Sequence, residues 1–559
     1  MGARWWRRDG LVWGLLLTLA VGEFVLVRRY VAAEVAPAYP GGFDQAVYLR
    51  RSYAVYEQLR REGVAAALRS ALTGNPTSTL LAALTQPFFC AFGANRPAAL
   101  ALNFALFVVL QVVTARTVLW RTGSLAAVAL ALGMLLLART TFLHVAGGLV
   151  DYRPDFGAYC LYGLLLALAV RSRVFASLPW SLGCGLAAAV LCLYRHVTLV
   201  YLTGALLATA AALLGALLLA PRGLARAGLW RRLRGLAAAT AVATVVALPF
   251  FWAQRATIWG YYGVAGGAQV AMRAVEMGAE TWRDQLLYYP RQVWGVHGGR
   301  AFVGLALLAA SFGALGLWSA RRSGDAGVRW GLLEALFVGV CLAAPLGALT
   351  LGRTGMSPAV AGVLLPPLVW LAALGLGASR GLPRRVAMAA ALLALPAGAA
   401  QQWRHFGPVG QAARQEQERL MAFYDQVGDY CVGAGLAAPG VSTTNFSDYL
   451  HRNQLAVLYY ERHGRLLGPR PGLGAELFRV SHAEALEQLR QSDVVLLSDW
   501  RPADPGAFRY PMQDDLLAWQ ADLRGVVERE LRPLCSARFF GQRVTAYVRP
   551  AGQARRRAE

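Results

Sequence analysis

The sequence contains no lysine, so each of its 55 basic residues is an arginine. A lysine Schiff base is therefore excluded, and every fixed positive charge is a guanidinium, which suits planar contacts with phosphate or carboxylate. The sequence also lacks a glycine-rich phosphate loop ending in lysine and the HExxH spacing of zinc proteases. These absences disfavour nucleotide hydrolysis and zinc proteolysis.

Charged residues are scarce as well. Only 15% of the 559 residues are charged, whereas 57% are hydrophobic, a balance typical of membrane proteins. The formal net charge of +24 comes mostly from arginines in short gaps between apolar runs. Because these arginines do not line one soluble face, they indicate membrane topology and not nucleic-acid binding.

The apolar runs predict about eleven transmembrane helices within residues 1–400. The first run, Leu11–Val27, has no cleavage pattern after it and is predicted to be retained. The predicted spans lie near residues 11–28, 98–118, 124–141, 156–171, 180–195, 198–220, 235–253, 301–319, 330–350, 357–378 and 385–400.

The arginine-rich gaps predict the orientation. A cytoplasmic N-terminus in the cell (inner) membrane places four basic gaps inside, as the positive-inside rule expects. These gaps are Arg171/Arg173, Arg222–Arg234, Arg321–Arg329 and Arg380–Arg385. Arg28 and Arg29 fall outside, but they precede a long loop, and long loops obey the rule poorly. Residues 29–97, 142–155, 254–300, 351–356 and the C-terminal region are then extracytoplasmic.

The first external loop, residues 29–97, is predicted to contain amphipathic helices. Phe43–Gly63 has apolar residues at three- and four-residue spacings. Thr79–Phe92 is apolar but too short to span and contains Pro87, which indicates a re-entrant or interfacial helix.

Residues 401–559 are predicted to form a soluble extracytoplasmic α/β domain. Its pattern predicts a helix from Ala412 to Tyr424 and strands at Val494–Leu497 and Val544–Val548. Cys431 and Cys535 are the two cysteines of this domain, and in an oxidising compartment we expect them to form a disulfide. No cysteine has metal-ligand spacing.

The helix after Gly41-Gly42 carries the first candidate site. Asp44, Tyr48 and Arg51 follow i, i+4, i+7 spacing and share one face. Asp44 could accept a proton from an acceptor while Arg51 holds a phosphate and Tyr48 supports them. Alternatively, Asp44 only caps the helix.

A second candidate site lies at the external mouth of the fourth span. Asp151 and Asp155 flank Arg153, and Pro154 is suited to start a helix whose dipole Asp155 would stabilise. Charges at a membrane mouth are costly unless paired or used, which slightly favours function. Arg195, beyond the fifth span, could bind an anionic lipid head group or only extend to water. Loop 254–300 mixes arginines with tryptophans and tyrosines, which suits sugar and phosphate contacts or an ordinary aromatic belt.

Three motifs together resemble the membrane-embedded glycosyltransferases with the GT-C fold, particularly the protein O-mannosyltransferase-like and aminoarabinose transferase-like group. They are Phe43-Asp44-Gln45 after the first span, Asn75–Leu84 with Phe92-Gly93, and Arg153-Pro154-Asp155-Phe156 at the fourth span. The similarity covers roughly residues 11–220. It departs from the family where Gln45 replaces the second acid of a common acidic pair, and where Asn75–Ser78 replaces a His-Pro-Pro-like sequence.

The resemblance implies a glycosyltransferase that moves a sugar from a polyprenyl-phosphate donor to a lipid, protein or glycan acceptor outside the cytoplasm. It implies catalytic roles for Asp44 and Asp155, and the donor phosphate would contact Arg51, Arg153 and Arg195. No cofactor and no metal site are expected, and the use of a divalent metal stays open. The rival interpretations are a transporter or lipid flippase in contact with membrane lipids, and a noncatalytic scaffold that presents residues 401–559.

Overall fold

We describe the fold from a computed structural model. It describes residues 2–73, 75–143, 146–219, 223–265, 279, 281–323, 326–351, 357–379, 381–406, 411–444, 449–473, 480–499 and 511–550.

The described chain is mostly helical. The helices preceding residue 300 are α1 (Gly2–Tyr30), α2 (Phe43–Glu62), α3 (Val64–Leu72), α4 (Leu80–Phe92), α5 (Arg96–Thr122), α6 (Leu125–Leu137), α7 (Pro154–Arg171), α8 (Leu178–Tyr194), α9 (Thr198–Leu219), α10 (Leu224–Ala253), α11 (Arg255–Trp259) and α12 (Trp282–Gln292). The later helices are α13 (Gly299–Ser323), α14 (Ala326–Leu351), α15 (Leu365–Ala378), α16 (Gly381–His405), α17 (Gln411–Gly433), α18 (Arg452–His463), α19 (His482–Gln491), α20 (Pro511–Ala518) and α21 (Gln520–Glu530). The strands are β1 (Gly440–Thr443), β2 (Arg470–Pro471), β3 (Val494–Ser498), β4 (Arg532–Phe539) and β5 (Gln542–Val548).

The chain folds into two compact units. The first unit comprises Met1–Arg28, Leu68–Leu84 and Leu100–Gly407, and the second comprises Arg29–Ala67, Thr85–Ala99 and Pro408–Glu559. The sequence analysis divided the chain once, at residue 400. In the structure, part of the first loop belongs to the same unit as the C-terminal residues.

Seven helices within the described residues are long and apolar enough to cross a membrane. Six of them coincide with predicted spans 11–28, 98–118, 198–220, 235–253, 330–350 and 357–378, and the seventh, Trp282–Ser311, overlaps the predicted span 301–319 only from residue 301 to residue 311. The other four predicted spans coincide with α6, α7, α8 and α16, which have 13, 18, 17 and 25 residues. The chain is therefore a multi-pass membrane protein, and the number eleven stays a prediction.

Small residues let helices of the first unit approach closely. α6 packs on α16, where a Cβ at Gly133 would lie 2.7 Å from the backbone of Ala394. In α1, Glu23 is buried, and its carboxylate accepts hydrogen bonds of 2.9 and 3.0 Å from the Gln111 amide of α5. Such small-residue contacts and interhelical polar bonds are typical of membrane helix packing.

The second unit contains a five-stranded sheet in the order β2-β1-β3-β5-β4. β1 is parallel to β2 and β3, while β5 is antiparallel to β3 and β4. Along β3, Val494 and Leu496 pack with α17 and α18, whereas Val495 packs with α19 and α21 on the other face. The predicted α/β domain is confirmed, with helices on both faces of the sheet.

Two segments of the first loop are tied to α18 within the second unit. Arg96 forms a buried ion pair of 2.9 Å with Glu461 and donates to the carbonyl of Ala36 at 2.9 Å. Glu461 also accepts a 2.6 Å bond from the Tyr53 hydroxyl of α2. The predicted helix Phe43–Gly63 is confirmed. α2 begins at Phe43 as predicted and ends at Glu62, one residue before the predicted end.

Cys431 and Cys535 are free thiols in the structure, so the expected disulfide is absent here. Both pack into the same hydrophobic core, and burial raises the pKa of Cys431 to about 12 and that of Cys535 to about 11. Because the thiolate is the reactive form, these thiols should oxidise slowly.

The disulfide stays a prediction for protein taken from an oxidising envelope. The bond would close a loop of about a hundred residues and stabilise the unit by up to about 4–5 kcal/mol. Alkylating the denatured protein without and with reductant, followed by mass measurement, counts the thiols. Alkylation of both residues without reductant would contradict the prediction.

Candidate functional site

A buried ion pair lies where α7 begins and α8 ends. Nη2 of Arg195 is 3.1 Å from Oδ1 of Asp155, and the two side chains are 15% and 4% exposed. Pro154 occupies the first position of α7, where its missing N–H leaves no bond unmade, and Asp155 follows in the first turn. A pair this buried has lost much of its hydration, so removal of either partner should be costly.

Three tyrosines lie near this ion pair. Tyr194, Tyr201 and Tyr262 each lie close enough to Asp155 to interact with it electrostatically. The Tyr194 and Tyr201 hydroxyls are buried and have no hydrogen-bond partner within the described residues. Because an unbonded buried hydroxyl is unfavourable, two of them beside one ion pair are typical of a site for a polar ligand.

Two glycines make room for the ion pair. Gly147 has a positive φ of 84°, and a Cβ there would lie 2.8 Å from the Cβ of Asp155. A Cβ at Gly157, on the next turn of α7, would overlap the ring of Tyr194. Larger residues at either position would therefore displace Asp155 or Tyr194.

Asp151 and Arg153 close the loop before α7. Oδ2 of Asp151 accepts from Nε of Arg153 and from the Gly147 N–H, both at 2.7 Å, and lies 2.6 Å from Nη2 of Arg153. Burial raises the pKa of the Asp151 carboxyl to about 6, against the lowering effects of Arg153 and the Gly147 N–H. Asn103 of α5 donates to the Asp151 carbonyl at 3.0 Å. Asp151 therefore fixes the loop that leads to Asp155.

A buried histidine joins the segment 75–79 to the end of α8. Nδ1 of His196 is 2.8 Å from the Pro76 carbonyl, which only accepts, so this nitrogen carries the hydrogen. Nε2 then accepts from the Thr79 hydroxyl, also at 2.8 Å, and the side-chain amide of Gln254, the residue after α10, donates to the same hydroxyl at 3.3 Å. The motif at 75–79 is thus held beside Arg195.

The His196 environment predicts a pH dependence of stability. Burial lowers the pKa of His196 from 6.5 to about 4, so the unfolded chain binds a proton between these pH values and the native protein does not. Stability should fall as pH decreases, by about 2 kcal/mol at pH 5 from this group. Melting temperatures measured from pH 7.5 to 5 should fall more for the wild type than for His196→Gln. Parallel curves would contradict the prediction.

His297 is a second buried histidine near Asp155. Its Nε2 is 2.6 Å from the Pro358 carbonyl, and its Nδ1 is 2.8 Å from the Thr140 hydroxyl. The same donor argument places the hydrogen on Nε2, so Nδ1 accepts from Thr140. His297 also lies within electrostatic range of Asp155. It therefore links three connecting segments around the ion pair.

Asp44, Tyr48 and Arg51 lie in the second unit, on the single helix α2. The N-cap is Gly42, with a φ of 77° and no side-chain cap bond, so Asp44 is not the capping residue. Asp44 is exposed in the first turn, and Tyr48 is buried. Burial lowers the pKa of Arg51, which interacts electrostatically with Tyr48. The capping interpretation is wrong in its strict form, although the helix dipole still favours a carboxylate here.

Comparison with known proteins shows which solved structures share this fold. The sequence matches no family model and no curated protein. Two solved structures are similar over nearly the whole chain: ArnT from Cupriavidus metallidurans in the apo state and ArnT from the same organism bound to undecaprenyl phosphate. Each is 14% identical and covers 95% of this chain and 97% of its own, with TM-scores of 0.52 and 0.53. The fold is GT-C. The predicted fold class is therefore confirmed.

Several residues around Asp155 were missed by sequence analysis. Tyr201 and His297 stand alone in apolar or aromatic stretches, where a single polar residue has no local pattern. Tyr262 was counted with the aromatic belt of loop 254–300. The pairing of Asp155 with Arg195 was also not predicted, although both residues were singled out. Forty residues separate them, and only the packing of α7 on α8 joins them.

Proposed function

We propose that the protein is a glycosyltransferase that moves a sugar from a polyprenyl-phosphate-linked donor to an acceptor at the extracytoplasmic face. The observation that carries the proposal is the buried Asp155–Arg195 pair, beside which the Tyr194 and Tyr201 hydroxyls have no hydrogen-bond partner among the residues that the structure describes. The fold supports it, because it is shared with ArnT, a protein solved with undecaprenyl phosphate bound. That lipid is a polyprenyl phosphate, the group that a donor of the class implied by the resemblance would release after sugar transfer.

The proposed reaction is a displacement at the anomeric carbon. The acceptor oxygen or nitrogen attacks this carbon, and the bond to the donor phosphate breaks with its electron pair leaving on the phosphate. Asp44 accepts the proton that the acceptor loses. Arg195 compensates the charge that develops on the phosphate in the transition state. Such electrostatic stabilisation is usually the largest single contribution to an enzyme's rate enhancement.

The other predicted residues take supporting roles in this proposal. Arg153 is held by Asp151 through two contacts to one oxygen, so its charge is partly neutralised and its phosphate contact is secondary. Arg51 is proposed as a further phosphate contact, and Tyr48 interacts with it electrostatically. Asp155 would hold Arg195 until the phosphate binds. The sugar and the acceptor, whether lipid, protein or glycan, are to be identified by assay.

The donor itself supplies the leaving group, so the proposed reaction requires no cofactor. Within the described residues, no group of three or more His, Cys, Asp or Glu side chains is placed to hold a metal ion. Assays with and without a chelator would measure whether a divalent cation assists.

Reconstitution tests the function directly. The purified protein, placed in liposomes with a radiolabelled polyprenyl-phosphate sugar and envelope extract, should transfer label to an acceptor and release the lipid phosphate. Protein with both Asp44→Asn and Arg195→Gln is the matched inactive control. Movement of intact donor between leaflets without loss of its sugar would instead support the transporter or flippase. An absence of both activities would support the scaffold.

The orientation is part of the proposal and predicts labelling. A cysteine at Gly228 should be inside, while cysteines at Arg283 and at the C-terminus should be outside. In cells that express a background variant without the seven native cysteines, an impermeant thiol reagent should modify the last two and spare the first. Modification of the Gly228 cysteine in intact cells would reverse the orientation and place the Asp155 site inside.

A further inference from the structure

Arginines and tryptophans form a cluster at the other end of α7 and α8 from the Asp155–Arg195 pair. The guanidinium of Arg171 lies 4.9 Å from the centre of the Trp120 ring and 5.6 Å from that of Trp180. The Arg173 guanidinium lies 6.0 Å from the Trp120 ring. We call these four residues the arginine–tryptophan cluster. Two cations therefore contact the Trp120 ring within the range of cation–π interactions.

Within the described residues, the two arginines of the cluster form no ion pair, unlike two neighbouring arginines. Asp9 pairs with Arg116, and Glu334 pairs with Arg121. Glu334 also interacts electrostatically with Arg173, but its ion pair is with Arg121. Arg171 is instead fixed by neutral acceptors, because Nε donates to the Thr117 hydroxyl at 3.2 Å and Nη2 donates to the Arg116 carbonyl at 3.0 Å.

The loop that contains Arg173 has an unusual backbone conformation, which is held by hydrogen bonds. Arg173, Val174 and Phe175 have positive φ values of 53°, 55° and 64°, a conformation that L-residues rarely adopt. Arg232 of α10 donates to the carbonyls of Arg173 and Val174, and the Phe175 N–H donates to the Ser172 hydroxyl at 2.8 Å. The loop therefore presents Arg173 at the surface in one fixed arrangement.

We propose that the arginine–tryptophan cluster binds the phosphate of an anionic membrane lipid. The cluster lies at the ends of α5 and α7 and at the start of α8, where tryptophans meet lipid head groups, and Trp120 and Trp180 are 38% and 42% exposed. Two guanidiniums that contact the same indole match a phosphodiester, and the exposed indoles would pack on the glycerol and upper acyl chains. This site is separate from the proposed donor site.

Lipid binding by purified, delipidated protein tests the assignment. Native mass spectrometry would measure the affinity for phosphatidylglycerol, with phosphatidylcholine as the neutral lipid and inorganic phosphate as the free anion. The wild type should bind phosphatidylglycerol about tenfold more tightly than the double variant Arg171→Gln/Arg173→Gln. The matched control Arg231→Gln/Arg234→Gln removes two exposed charges from the nearby start of α10 and should bind like the wild type.

Each alternative has a distinct result. Equal affinity of the wild type and Arg171→Gln/Arg173→Gln, or an equal loss in both double variants, would overturn the cluster as a site. Competition by inorganic phosphate at the same concentration as phosphatidylglycerol would overturn the lipid assignment and leave a free-phosphate site. If the Arg171→Gln/Arg173→Gln variant does not fold, the Trp180→Leu variant is tested instead. It keeps both charges and should still weaken phosphatidylglycerol binding, whereas unchanged binding would overturn the proposal.

Discussion

An Asp44→Asn variant should fold normally and lose sugar transfer by about 100-fold or more. The amide keeps the shape of the side chain but cannot accept the proton of the acceptor, and general-base catalysis typically contributes two to four orders of magnitude. Asp44 is exposed in the first turn of α2, so its removal should change the free energy of unfolding by less than about 1 kcal/mol. Initial rates at saturating donor, together with melting temperatures, measure both quantities.

The control for this variant lies on the same helix. Glu62→Gln removes another exposed carboxylate, at the last position of α2, and should leave transfer unchanged. Its parallel assay corrects for a general effect of net charge on α2. Wild-type rates in Asp44→Asn would remove Asp44 from the mechanism, and the base would have to be sought elsewhere, beginning with Asp155.

Helices with a clear period could be predicted from the sequence. Phe43–Gly63 was predicted from its three- and four-residue spacings and is observed as Phe43–Glu62. Thr79–Phe92 is observed as Leu80–Phe92, with Pro87 inside the helix. The short helix Val64–Leu72 was missed, because nine residues after a glycine give too few turns for a period to be recognised.

The sheet was predicted only in part. Val494–Leu497 is a buried apolar run and is observed within β3, and Val544–Val548, which alternates between buried and partly buried residues, is observed as most of β5. β1 and β2 have four and two residues, and β4 is largely exposed, so none has a strong local pattern. These strands depend on their partners: β1 lies between β2 and β3, which are parallel to it and distant in sequence.

The candidate site could also be predicted only in part from the sequence. The residues Asp151, Arg153 and Asp155 could be identified because three charges before an apolar run are unusual. Their roles could not be separated, because helix initiation and ligand binding require the same residue types. The structure divides them: Asp151 holds the loop through Gly147 and Arg153, while Asp155 faces Arg195. Contacts between segments that are distant in sequence give Asp151 and Asp155 these different roles, and the local sequence pattern does not show such contacts.

A double-mutant cycle on Asp155 and Arg195 should separate structural support from ligand binding. Asp155→Asn leaves the Arg195 guanidinium buried without its carboxylate, and Arg195→Gln leaves the carboxylate without its cation. Each single variant should be destabilised by about 3 kcal/mol, as expected when one partner of a buried ion pair is removed. The double variant places two neutral amides together and should recover much of this stability, since no buried charge then remains unpaired.

Transfer activity should not recover with stability. If Arg195 holds the donor phosphate, the double variant stays at least about 100-fold below the wild type in kcat/KM, because the cation that compensates the leaving group is still absent. Denaturant or thermal unfolding in detergent measures the stability of the four proteins in the cycle. Steady-state transfer at varied donor concentration measures their kcat/KM. A double variant that regains both stability and transfer would show that the pair only joins α7 to α8, and the proposed phosphate site would then have to lie at other arginines.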